Sequence, residues 1–169
     1  MTPADLLVEA FGRLSHAVPA AVEGLSTDQL SARVDADANS VGWLVWHLVR
    51  VQDDHVAKAF DTEQRYTAER WHERFGLPFD AGDIGYGHTS EQVAAVRAEP
   101  ELLVGYFRSV QERTLELIGS VTSEELDRVV DRSWDPPVTL GVRLVSVLED
   151  CLQHAGQAGF VRGVLDRRA

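Results

Sequence analysis

Cysteine is nearly absent from this chain. Cys151 stands alone, which excludes an intramolecular disulfide, an all-cysteine zinc site and a CxxC redox pair, and removes any need for an oxidising compartment. Basic residues are scarce as well. Sixteen Lys and Arg against 27 Asp and Glu give a formal charge of -11, the wrong sign for a surface that gathers phosphates, so nucleic acid is not an expected partner. No apolar run approaches the roughly 20 residues of a membrane helix. The start MTPADLLVEAF lacks a basic stretch leading into an apolar one, so neither a membrane partner nor a secretion signal is expected and the reading is cytoplasmic. Period-two alternation is also missing over any length that makes a convincing strand.

What is present is ordinary globular material. With 44% hydrophobic and 25% charged residues over 169 positions, disorder is excluded and one domain spanning 1–169 can bury its own core. Leu6, Leu7, Ala10, Phe11, Leu14, Ala17, Val18 and Ala21 recur at helical spacing, predicting a helix from about Pro3 to Glu23 that Pro19 bends or ends early. Ser26 and Gln29 fit a capping box before a short helix, and Ser40 caps a long one from Val41 to about Phe60. From Asp61 to Arg97 periodicity fades, and FGLPFDAGDIGYGHTS marks a functional excursion, followed by a short helix behind Thr89 and Gln92. Pro100 opens a third long helix to Gly119, and after the loop DRSWDPPV Thr139 caps a fourth.

GSVTSEELDRVV repeats the layout of GLSTDQLSARV, and Gly42 and Gly141 each follow a cap by two residues, a weak self-similarity at a period of about 95 to about 99 residues. Four long amphipathic helices with one long crossover between the second and third predict an all-α four-helix bundle.

One polar group interrupts the apolar face of the fourth helix. Asp150 and His154 are four apart, one turn above one another, within reach of a single ion. Two readings stand: a buried hydrogen-bonded pair, or two ligands to a metal. His47, on the inner side of the second helix, would complete a His, Asp, His set, and three protein ligands with an open fourth position are the arrangement of a catalytic zinc site. Cys151 is offset about 100° from Asp150 and reads as a small core residue. Asp53 and Asp54 read as a solvated acidic face.

NSVGWLVWHLVRVQDDHV, GYGHTSEQVAAVRAEPELLVGYF and RLVSVLEDCLQHAGQAGFVRGVLD resemble the DinB-like superfamily of metal-binding four-helix bundles. They are closest to its mycothiol-dependent S-transferase branch, related to mycothiol-dependent maleylpyruvate isomerase. The resemblance spans nearly the whole chain, and WHL with (D/E)xxxHxGQ is its most specific part. It implies a divalent metal, zinc by preference, on His47, Asp150 and His154, although many relatives have Glu or His in place of Asp150. It implies mycothiol as cosubstrate, activated as thiolate by the metal to attack an electrophilic small molecule in detoxification, with no protein nucleophile. His88, before a helix start, acquires a substrate-binding role against a capping one. His55, two turns on from His47, reads either as a residue lining the cavity or as a satisfied helix histidine, and Arg143, Gln157 and Arg162 either reach the ends of a polar cosubstrate or lie at the surface. A homodimer fits the resemblance.

Other functions fit the same residues. A thiol-dependent isomerase is disfavoured because such a relative carries an additional C-terminal domain, whereas this sequence stops soon after the fourth helix. A metal hydrolase would turn over without thiol. A stress-associated binding or dimerisation module would use Asp150 and His154 only as a buried pair.

Overall fold

The computed structural model describes residues 1–168. Pro3–Gly12 (α1) and Leu14–Val22 (α2) form the first arm. The break falls at Gly12–Arg13 and not at Pro19, which is carried inside α2. Glycine is a poor helix residue, whereas Pro19 deprives only the carbonyl of Ser15, four residues back and on the exposed side, of its partner. The short helix Thr27–Ser31 (α3) starts behind the expected Ser26 and Gln29 capping box. Ser40 accepts the Trp43 N–H to begin Val41–Ala59 (α4).

The crossover carries Arg65–Ala68 (α5), Trp71–Phe75 (α6) and Ser90–Ala95 (α7), the last behind the Thr89 and Gln92 box. Pro100–Ile118 (α8) follows, then Ser123–Leu126 (α9). The loop predicted without strands closes a small antiparallel ribbon, Val129–Asp131 (β1) against Val138–Thr139 (β2), pairing Val129 with Thr139 and Asp131 with Val138. Segments this short cannot display a period of two. Thr139 then caps Leu140–Asp166 (α10).

The result is an all-α bundle of four arms, with α10 packed along α4 and α2, and α8 packed along the same two. The self-similarity of the halves has a packing cause. A Cβ on Gly42 would stand 3.1 Å from the Leu30 carbonyl, and one on Gly141 3.3 Å from that of Leu126, so each short helix lies directly on the start of the long helix after it.

The first half of α4, VGWLVWHLV, is almost wholly apolar, and a helix of that kind is buried on all sides. Of its residues only His55 and Lys58 escape burial. The bundle covers one side, and the crossover covers the other with Tyr66, Trp71 and Phe75 packed on Tyr106 of α8. This second cover brings the crossover to the residues that could carry chemistry.

Candidate metal centre

His47 projects from α4, and Asp150 and His154 stand one turn apart on the neighbouring α10. Donor atoms of the three lie within 4.8 Å of one another, the only such group of His, Cys, Asp or Glu among the described residues. His154 Nε2 is 3.5 Å from Asp150 Oδ1, and the two imidazole rings meet edge to face at 4.9 Å.

Both rings are oriented by a partner on Nδ1. His47 Nδ1–H donates to the Ile84 carbonyl, which can only accept, and His154 Nδ1–H donates to Gln157 Oε1 at 2.8 Å. Each Nε2 is left for the centre, as in histidines that ligate metals. Burial lowers the pKa of His47, which is 6% exposed, outweighing the Ile84 hydrogen bond and keeping the ring neutral. The His154 pKa is raised, first by its hydrogen bond with Asp150. Asp150 Oδ2 is buried with no hydrogen-bond partner, a costly state for a carboxylate oxygen that a cation relieves. Two imidazole Nε2 atoms and an orphaned carboxylate oxygen therefore fit a divalent ion, which would take the place of the proton that Asp150 favours on His154.

The wall opposite α10 comes from Trp43 and the crossover. Trp43 stacks on His47 with centroids 4.6 Å apart and planes 14° from parallel. Its Nε1–H donates to His88 Nδ1 at 3.1 Å, so the His88 proton lies on Nε2, 3.1 Å from both carboxylate oxygens of Asp83. Asp83 Oδ1 also accepts the Gly85 N–H at 2.7 Å. Gly85, at φ +87°, lies so close that a Cβ there would meet His47 Nδ1 at 2.8 Å and the Trp46 ring at 3.0 Å.

Of the residues expected to touch substrate, Gln157 lies at the cluster and His88 in its wall with both ring nitrogens engaged. The helix start beside His88 is closed by the Thr89 and Gln92 capping box. His55 and Arg143 are not brought to the cluster. His55 lies about 12 Å along α4 from His47 and pairs with Asp54 at 3.3 Å. Arg143, two turns before Asp150, binds Asp131 of the ribbon at 2.8 Å. Arg162 donates to the Ala20 carbonyl at 2.6 Å. Cys151 Sγ faces the Leu48 carbonyl at 3.6 Å in the core, and burial pushes its thiol well up.

Asp53 and Asp54 are not a solvated face: they are 4% and 3% exposed. Asp53 accepts the N–H groups of Arg65 and Tyr66 at 2.9 and 2.8 Å and the Tyr106 hydroxyl at 2.7 Å. Asp54 accepts from Lys58 and Gln64, both at 2.8 Å. Sequence reasoning also passed over Arg50, which is fully buried. A signal existed, since Arg50 is the only charge between Val41 and Val51, and a lone charge in an apolar helix must find partners inside.

Fold and cluster together define a DinB-like four-helix bundle with a His, Asp, His donor set between two of its long helices. The chain belongs to the Mycothiol-S-transferase family, whose model matches residues 6–167. It is similar to a solved structure described as the conserved protein of locus from Enterococcus faecalis, at 29% identity over 96% of each chain and a TM-score of 0.88. No curated protein matches it.

Proposed function

We propose that this chain is a metal-dependent S-transferase that joins mycothiol to electrophilic small molecules, a detoxifying conjugation placed in the cytoplasm. The observation that carries the proposal is the convergence of His47, Asp150 and His154 in a member of the Mycothiol-S-transferase family. These three residues would hold a divalent ion, zinc by preference for two imidazoles and a carboxylate. When bound, the ion would supply a Lewis acid that favours the thiolate of the cosubstrate over its thiol, whose free pKa is about 8.5.

The protein's own residues prepare for this. Burial keeps His47 neutral and Ile84 sets its tautomer. Gln157 aims His154, and Asp150 contributes the one negative charge of the donor set. Trp43, stacked over His47, keeps water from that side of the cluster. The conjugation forms a carbon–sulfur bond at the electrophile, whose leaving group departs with the bonding electrons, or whose double bond takes them up; the thiol proton passes to solvent. No protein nucleophile is needed, in keeping with Cys151 being shut in the core.

The test is metal content by plasma mass spectrometry on untagged protein beside His154→Ala, with conjugation of mycothiol to a bromobimane followed in both. About one equivalent of zinc and measurable conjugation, lost together in the variant, is the expected result. Conjugation that persists in metal-free protein removes the ion from the reading. Turnover of an ester without any thiol, in place of conjugation, turns the assignment to a hydrolase.

A further inference from the structure

Arg50 is the one arginine with no exposure at all, and an ion pair alone does not account for it. Its guanidinium lies 3.6 Å from Asp53 Oδ2 and 4.0 Å over the Tyr66 ring, and Nη1 donates to Gln64 Oε1 at 2.9 Å and the Tyr106 hydroxyl at 3.1 Å. The other side of the fork is spent on backbone. Nε donates to the Asp83 carbonyl at 3.1 Å and Nη2 to the Ala81 carbonyl at 3.0 Å. Both carbonyls lie in the irregular stretch that precedes Ile84, and Arg50 sits one turn after His47 on α4.

The Ile84 carbonyl is thus pinned from both directions. On its N-terminal side Arg50 grips Ala81 and Asp83. On its C-terminal side the Asp83 carboxylate holds the Gly85 N–H at 2.7 Å and His88 Nε2 at 3.1 Å, while Gly85 fills the space against His47. A lysine ammonium, a point charge without a planar fork, cannot span two carbonyls in this way.

We propose that Arg50 is a positioning residue for the candidate metal centre: by holding the Ala81 and Asp83 carbonyls it keeps the Ile84 carbonyl on His47 Nδ1, and so sets the tautomer and aim of that imidazole. Its consequence for metal affinity rests on the metal reading above, whereas the tautomer it sets is a property of the protein with or without an ion. Loss of an outer hydrogen-bond partner of a ligating histidine weakens metal binding by about 10- to 100-fold, and Arg50 acts one contact further out.

The experiment compares wild type, Arg50→Lys, Gly85→Ala and the double variant by two readouts. In metal-free protein, two-bond nitrogen–proton spectra report the His47 tautomer; in competition with a chromophoric chelator, zinc affinity is measured. The expected results are a pure Nδ1–H tautomer in wild type, a mixture with Nε2–H in Arg50→Lys, and zinc affinity at least about tenfold weaker. Gly85→Ala reproduces both effects with Arg50 intact, by displacing the same loop, and the double variant is no worse than the poorer single. A lowered melting temperature in Arg50→Lys with the tautomer and zinc affinity unchanged overturns the proposal and leaves Arg50 as a brace for the core. Multiplicative losses in the double variant overturn it too, since the two residues would not share a path. If Arg50→Lys does not fold, Tyr106→Phe, which removes one acceptor from the guanidinium, is measured instead: an intermediate tautomer shift supports the proposal and none overturns it. Absence of zinc uptake by wild type defeats the metal reading alone, because the tautomer comparison still decides the role of Arg50.

Discussion

Gln157 stands one turn beyond His154 on the exposed side of α10 and accepts its Nδ1–H at 2.8 Å, mirroring what the Ile84 carbonyl does for His47 from the opposite wall. One partner is a side chain and the other a backbone atom, so only the first can be deleted without moving the chain. Gln157→Ala is expected to weaken zinc binding by about tenfold, while the metal-free protein keeps its stability within about 0.5 kcal/mol. Chelator competition and thermal melts of the metal-free protein check the two halves.

Asp53→Ala removes the acceptor of two backbone N–H groups and of the Tyr106 hydroxyl, and leaves the buried Arg50 without its carboxylate. Breaking a buried charge pair from one side costs about 3–5 kcal/mol. Urea unfolding is expected to show a loss of that size.

Asp54 gives the acid side of the stability profile a specific feature. Burial pulls its pKa up, but hydrogen bonds from His55 and Lys58 with their charges outweigh it and bring it from its ordinary 3.8 down to about 2. A group whose pKa is lower folded than unfolded adds stability above the unfolded value, and that stability is lost as pH falls through the folded one. Asp54→Asn should therefore flatten the fall in stability between about pH 4 and about pH 2, as followed by urea midpoints. Asp53, whose pKa burial raises, has the opposite slope, so the comparison must be made between wild type and variant at each pH.

Cys151 is expected to be chemically silent. Its thiol is buried and reactivity follows exposed thiolate, so thiol reagents should label the protein only after unfolding. Cys151→Ala should retain conjugating activity within about twofold, since the cosubstrate supplies the sulfur, and lose about 1 kcal/mol of stability. Abolished activity in a folded variant would falsify the cosubstrate-thiol mechanism.

The four arms and the caps at Ser26, Ser40, Thr89 and Thr139 were legible because helices declare themselves through periodicity and local capping chemistry. The closeness of Asp150 to His154 followed from the same geometry within one helix. The approach of His47 needed the packing of α4 on α10, which its inward face implied and the resemblance made specific. What spacing could not reach were contacts made by the crossover. Asp53 and Asp54 looked solvated because their partners, Arg65, Tyr66 and Gln64, come from a segment with no periodicity, folded back on a face that a bare bundle would leave open. The ribbon between Val129 and Thr139 was too short to leave a pattern.

The donor atoms and the wall facing them have different origins. His47, Asp150 and His154 ride on two helices whose mutual packing fixes their spacing, whereas Ile84, Gly85 and His88 belong to the excursion between the second and third arms. The spacing of the three side chains and the orientation of the His47 ring are thereby written in separate stretches of chain. A crossover of another shape would leave the backbone spacing of the three residues, which α4 and α10 set, but would release the His47 ring from its Ile84 partner, so spacing and aim can be altered one without the other.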